Sequence, residues 1–124
     1  MNSEYANFFE LNGKTIVSIN DDGDVIKTSD GYCYHLYHSQ SCCENVRQIK
    51  TVGDPQKLIG NVVAAQEDTC DDPAWYYDSY NDSHTWTVFT LIDDKNNRVD
   101  FYWLGESNGY YSEDVSVSKT KEIC

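Results

Sequence analysis

The chain has 124 residues, enough for one domain spanning 1–124, and its 21 acids against 9 bases leave a formal charge of −12. That charge works against binding bare nucleic acid or an anionic membrane, which would both repel it, and favours a basic protein surface. Ten Tyr, three Trp and four Phe exclude a disordered acidic tail, and no apolar run of about 18 residues is present to form a transmembrane helix.

The opening MNSEYANFFELNGK places two acids before its first lysine. A secretory signal needs a basic start and a longer apolar run, so a cytoplasmic protein is expected. Its five cysteines are then expected to stay reduced, and their odd number argues against a closed disulfide framework. In the same stretch Ser3 can cap a short helix over residues 4–11. Glu4 would sit in its first turn, Phe8, Phe9 and Leu11 on its apolar face, and Gly13 at its stop. A strand competes with this helix because the segment is short.

From Lys14 onward, TIVSI and VIKTS flank the turn NDDGD as a β-hairpin, and SDG at 29–31 leads into a third strand, GYCYHLYH. On that strand Tyr32, Tyr34, Leu36 and His38 share one face, and Cys33, His35 and Tyr37 the other. SQSCCENV, residues 39–46, breaks this meander, and VRQIKTV is a strand or a bridging segment. GDPQKLIG at 53–60 reads as one helical turn, with Asp54 as cap, Pro55 at the first position and Gly60 at the end.

NVVAAQ follows as a buried strand. The run 67–84, EDTCDDPAWYYDSYNDSH, holds six acids, four aromatics and no Lys or Arg. Most of it is expected to be a long, functional loop. HTWTVFTLI and RVDFYWLG alternate around DDKNN, predicting a hairpin that is apolar on both faces and therefore central in its sheet. ESNGYYSED is a loop, and VSVSKTK a last strand whose lysines suit a sheet edge. The expected fold class is α+β, mainly β: a single curved antiparallel sheet of about six to seven strands with one or two short helices.

His35 and His38 fall on opposite faces of a strand, and the adjacent Cys42 and Cys43 side chains are expected to diverge. The convergent spacing that zinc demands is therefore missing, although His38, Cys42 and Cys43 are the candidate ligands if a metal is held. A cysteine nucleophile needs a nearby base and a lowered pKa. His38 could serve Cys42 or Cys43, oriented by Glu44 or Glu106, but the negative surroundings raise a thiol pKa. Cys33 reads as a small buried hydrophobe. NDDGD resembles a calcium loop in composition alone, because Gly23 comes too early. No phosphate loop, dinucleotide fingerprint or nucleophile elbow occurs. No catalytic residue and no cofactor are expected.

The runs HSQSCCENV, YNDSHTWTVFTL and FYWLGESNGYYSEDVSV together resemble a family of small uncharacterised proteins encoded mainly by bacteriophages and prophages. The likeness covers about residues 33–118 and marks His38, Cys42, Cys43, Glu44 and Gly105 through Tyr111. It carries no activity. It implies a phage context and a host-cell cytoplasm, where small acidic phage proteins often inhibit host machinery such as nucleases and CRISPR effectors.

The expected function is that of a non-enzymatic, acidic inhibitor. It would occupy the basic, nucleic-acid-binding site of a host protein, as an anti-CRISPR-like or other anti-defence protein or a nucleic-acid mimic. The first partner-binding loop would use Asp68, Asp71, Asp72, Asp78 and Asp82 to pair with Lys and Arg, and Trp75, Tyr76, Tyr77 and Tyr80 for desolvated contact. The second would offer Glu106, Asn108, Tyr110, Tyr111, Glu113 and Asp114. The alternatives are a small zinc domain on His38, Cys42 and Cys43, or a thiol-based enzyme.

Overall fold

The computed structural model describes residues 3–121. Nine strands form one open antiparallel sheet: β1 (Ser3–Ala6), β2 (Lys14–Ile19), β3 (Val25–Thr28), β4 (Cys33–Tyr37), β5 (Asn45–Val52), β6 (Val62–Cys70), β7 (Ser83–Asp93), β8 (Arg98–Ser107) and β9 (Ser116–Thr120). Their order across the sheet is β1-β9-β4-β3-β2-β6-β7-β8-β5. This corrects the expected α+β fold of six to seven strands with short helices. The described residues hold nine strands and no α-helix, only two four-residue 3₁₀ turns, Phe8–Leu11 and Pro55–Leu58.

The N-terminal helix fails because its first half finds a strand partner. Tyr5 pairs with Ser118 and Ala6 with Val117 on β9. What remains is the 3₁₀ turn, capped by Asn7 and not by Ser3. The Glu10 carboxylate accepts the Asn7 N–H at 2.7 Å, one of the donors that a helix start leaves unpaired. The second turn is built as its residues dictate: Asp54 accepts the Gln56 N–H at 3.1 Å, with Pro55 at the first position.

Two hairpins follow their local patterns. The β2–β3 hairpin closes over 20–24, and the β7–β8 hairpin pairs in register from Ser83↔Ser107 to Ile92↔Arg98. On β2 the register shifts between Ile16 and Ser18. That irregularity lets Ile16 and Ile19, three apart, both turn inward, which strict alternation forbids.

Apolar residues from both ends of the strand order meet in one cluster: Ile26, Tyr34, Leu36 and Val117 from one half, Val63, Phe89, Leu91 and Phe101 from the other. Full burial of each large side chain contributes about 1.5–3 kcal/mol. The sheet curls to bring them together. Gly23, in the β2–β3 turn at φ +71°, lies so close to Phe101 on β8 that an added Cβ would sit 2.5 Å from the ring. Thr51 on β5 donates to the Asp21 carbonyl at 3.0 Å.

Long-range pairing decides one further expectation between its two alternatives and alters two others. VRQIKTV is β5, an edge strand hydrogen-bonded to β8. VSVSKT is not an edge: β9 lies between β1 and β4. EDTC is not loop but the end of β6, with Glu67 opposite Phe89 and Cys70 opposite Trp86, which trims the loop to residues 71–82. Among the described residues no helix is long and apolar enough to cross a membrane.

Candidate functional site

The hairpin β7–β8 is apolar on both faces, and each face is covered. The inner face carries Phe89, Leu91, Val99 and Phe101 into the core. The outer face carries Trp86 and Tyr102, and the 71–82 loop folds down onto them. Trp75 sets its ring edge-on to Trp86 (5.5 Å between centroids) and to Tyr102 (5.2 Å). Tyr76 lies edge-on to Trp86 at 5.1 Å. Such tilted pairs contribute about 0.5–1.5 kcal/mol each beyond area burial. Trp86 donates its indole N–H to the Tyr80 hydroxyl at 3.1 Å, and Lys50 of β5 sits 4.7 Å above the Trp75 ring.

Three of the four loop aromatics are thus committed to this second packing layer. Trp75, Tyr76 and Tyr80 are half-buried, and only Tyr77, at 91 % exposure, is fully presented to solvent. Arg47, Lys50, Trp86 and Tyr102 complete the layer and were not singled out from sequence. The apolar outer face of the hairpin was their one signal.

The acids divide into buried and exposed groups. Glu106, placed among the exposed partner-binding residues by the sequence, is buried at the end of β8. It pairs with Arg47 at 3.0 Å and accepts the Asn81 N–H at 2.9 Å, tying the loop end to β5 and β8. Glu113 is half-buried and accepts from Thr85 at 2.8 Å and Ser107 at 2.5 Å. Burial pushes its carboxyl up, but the Ser107, Ser83 and Thr85 hydroxyls outweigh that and hold it below the usual range.

Gly105 makes this fold-back possible, since an added Cβ would lie 2.3 Å from the Glu113 carbonyl oxygen. At the tip, Asn108 accepts the Tyr110 N–H and Gly109 takes φ +95°. Tyr110 is 88 % exposed, and Tyr111 is half-buried.

Asp68, Asp71, Asp72, Asp78, Asp82 and Asp114 are all exposed. None of them pairs with a Lys or Arg among the described residues; Asp72 bonds His84 at 2.7 Å, whose ring stacks on Tyr80. Glu67, Asp68 and Asp114 line one cleft, together with Thr69, Thr87 and Val115. The next cleft shares Thr69 and adds Asp71, Asp72, Cys70 and His84. Partial desolvation in the cleft, then the charges of Asp114 and Asp68, push the Glu67 carboxyl up. Asp82 and Asn108 face each other across a third cleft beside Cys43, so the two predicted loops adjoin.

His38 and Glu44 form a buried pair at 3.2 Å, their side chains 6 % and 1 % exposed. His38 Nδ1 also contacts the Asp114 carbonyl oxygen at 2.8 Å. Glu44 accepts the N–H groups of Cys42 (2.8 Å) and Ser41 (3.2 Å) and so shapes the 39–44 loop. Burial pushes the Glu44 carboxyl up, but those N–H groups and His38 outweigh it and hold the carboxyl low. Cys42 and Cys43 are joined by a disulfide between neighbours. This corrects the expectations that their side chains diverge and that every cysteine is reduced.

Cys33 is buried on β4, Cys70 is an exposed thiol, and Cys124 lies outside the described residues. Burial, Asp71 and Asp72 push the Cys70 thiol up, which opposes thiolate chemistry there. Among the described residues no three His, Cys, Asp or Glu side chains gather as a metal site.

The chain belongs to the family described as Domain of unknown function (DUF7448), whose model matches residues 10–117. The match takes in every strand from β2 to β8. No curated protein and no solved structure matches the chain.

Proposed function

We propose that this member of the DUF7448 family is a non-enzymatic acidic binding protein, encoded by a phage and working in the host cytoplasm. It inhibits a host protein by occupying a basic, nucleic-acid-binding site, as an anti-CRISPR-like or other anti-defence protein or a nucleic-acid mimic. One observation supports this reading above others. Glu67, Asp68, Asp71, Asp72 and Asp114 lie in two adjoining clefts with no Lys or Arg paired to them among the described residues. Unneutralised acids so placed steer a cationic partner and pair with it on contact. Tyr77 and Tyr110, the exposed aromatics of the two loops, are available as anchors.

The test is capture of partner from host lysate on immobilised protein across a salt series, beside a variant with Asp68, Asp71, Asp72 and Asp114 changed to Lys. Capture should fall steeply from about 0.1 M to about 1 M salt and be lost in the variant. A partner held equally well at high salt, or equally well by the variant, overturns the proposal.

A further inference from the structure

The open sheet has two ends, β1 and β5, and both are guarded. β1 is four residues long. β5 is broken by a register shift between Gln48 and Lys50 and carries Arg47 and Lys50. Short length, irregularity and cations are the usual means of keeping an edge from pairing with another chain.

A third edge lies inside the strand order. β2 covers β6 only at Val62 and Val63, and the Asn12 side chain accepts the next free N–H, that of Ala65. From Glu67 to Cys70 β6 pairs with β7 alone, and all four residues are exposed. Among the described residues no backbone bond reaches this stretch from its open side. It has no proline, no lysine and no register break: its pairing with β7 runs evenly from Val63↔Asp93 to Cys70↔Trp86. Its guard is negative charge.

Charge also selects what can pair there. A second copy of this edge would set Glu67 and Asp68 against their own kind and is repelled. A basic strand is attracted. The acids stand on both sides of the pleat: Asp68 shares the outer face with Cys70 and Trp86, while Glu67 is on the inner side, where Asp114 lines the same cleft.

We propose that the edge of β6 from Glu67 to Cys70 accepts an added strand, an extended partner segment bearing Lys or Arg on both of its faces. Backbone hydrogen bonds would hold that segment and the acids would select it. The inference rests on the basic-partner reading above and specifies how the partner is gripped.

The probe is a synthetic extended peptide of alternating Lys and Thr with Arg at both ends, compared with the same peptide N-methylated at alternate residues. N-methylation keeps every charge but removes the donors of one peptide edge. The unmodified peptide should bind and slow amide exchange at residues 67–70, and the N-methylated one should bind about tenfold more weakly or worse. Equal binding of both overturns strand addition while leaving charge-driven capture intact. Binding of neither, or binding without protection at 67–70, also overturns it. The salt series on lysate decides the broader reading separately.

Discussion

Asp93 ends β7 and holds the turn that follows. Its carboxylate accepts the Lys95 N–H at 2.9 Å, the Asn97 N–H and side-chain amide at 2.8 Å each, and the Asn61 amide at 2.8 Å. Those bonds steady Asn96, which sits at φ +65°. Burial pushes the Asp93 carboxyl up, but its four donors prevail and bring it down to about 2. A carboxyl lowered in the fold contributes stability that is present above its unfolded value of about 3.9 and lost as pH falls through the folded one. Stability should therefore drop between about pH 4 and about pH 2. Asp93→Asn should lower the melting midpoint at neutral pH and flatten that drop, read from thermal melts across pH. An unchanged acid limb in the variant would show that Asp93 is not its source. Glu44, held low by the loop amides, adds to the same limb.

At the scale of elements, the 71–82 loop acts as an outer layer of the sheet. A loop of twelve residues with no strand or helix of its own needs an anchor. Here the anchors are Trp75 on Trp86 and Tyr102, and Asn81 on Glu106. Trp75→Ala should destabilise the protein by about 2 kcal/mol, less than a core tryptophan because the ring is half-buried. It should also speed amide exchange across residues 71–82 while leaving β7 and β8 protected. Equal loosening of the hairpin itself would mean that the loop and the sheet are one cooperative unit.

For the molecule as a whole, a charge of −12 on 124 residues is a standing self-repulsion, and it falls unevenly. Among the described residues, four of the nine bases are paired with acids: Lys14 with Asp30, Arg47 with Glu106, Arg98 with Asp100 and Lys119 with Glu10. The clefts around Thr69 gather five acids, Glu67, Asp68, Asp71, Asp72 and Asp114, with no Lys or Arg paired to them among the described residues. Screening should relieve them, so the melting midpoint at neutral pH should rise between about 0.05 M and about 0.5 M sodium chloride. A midpoint that stays flat would mean that the acids lie too far apart to repel.

Residues alone determined the features that depend on near neighbours. The alternation of HTWTVFTLI and RVDFYWLG around DDKNN, the NDDGD hairpin and the Asp54–Pro55 turn each carry their own geometry within a few residues. The net charge is also a property of composition. Only the tertiary structure decided what depends on distant partners. Ser3–Ala6 is a strand because β9 lies beside it, and β9 is interior for the same reason. Glu106 and Glu113 belong to the frame because Arg47, Asn81, Thr85 and Ser107 converge on them. A carboxylate's sequence neighbours do not say whether water or a folded-back strand will meet it, and that choice separates an acid that holds the fold from one free to meet a partner.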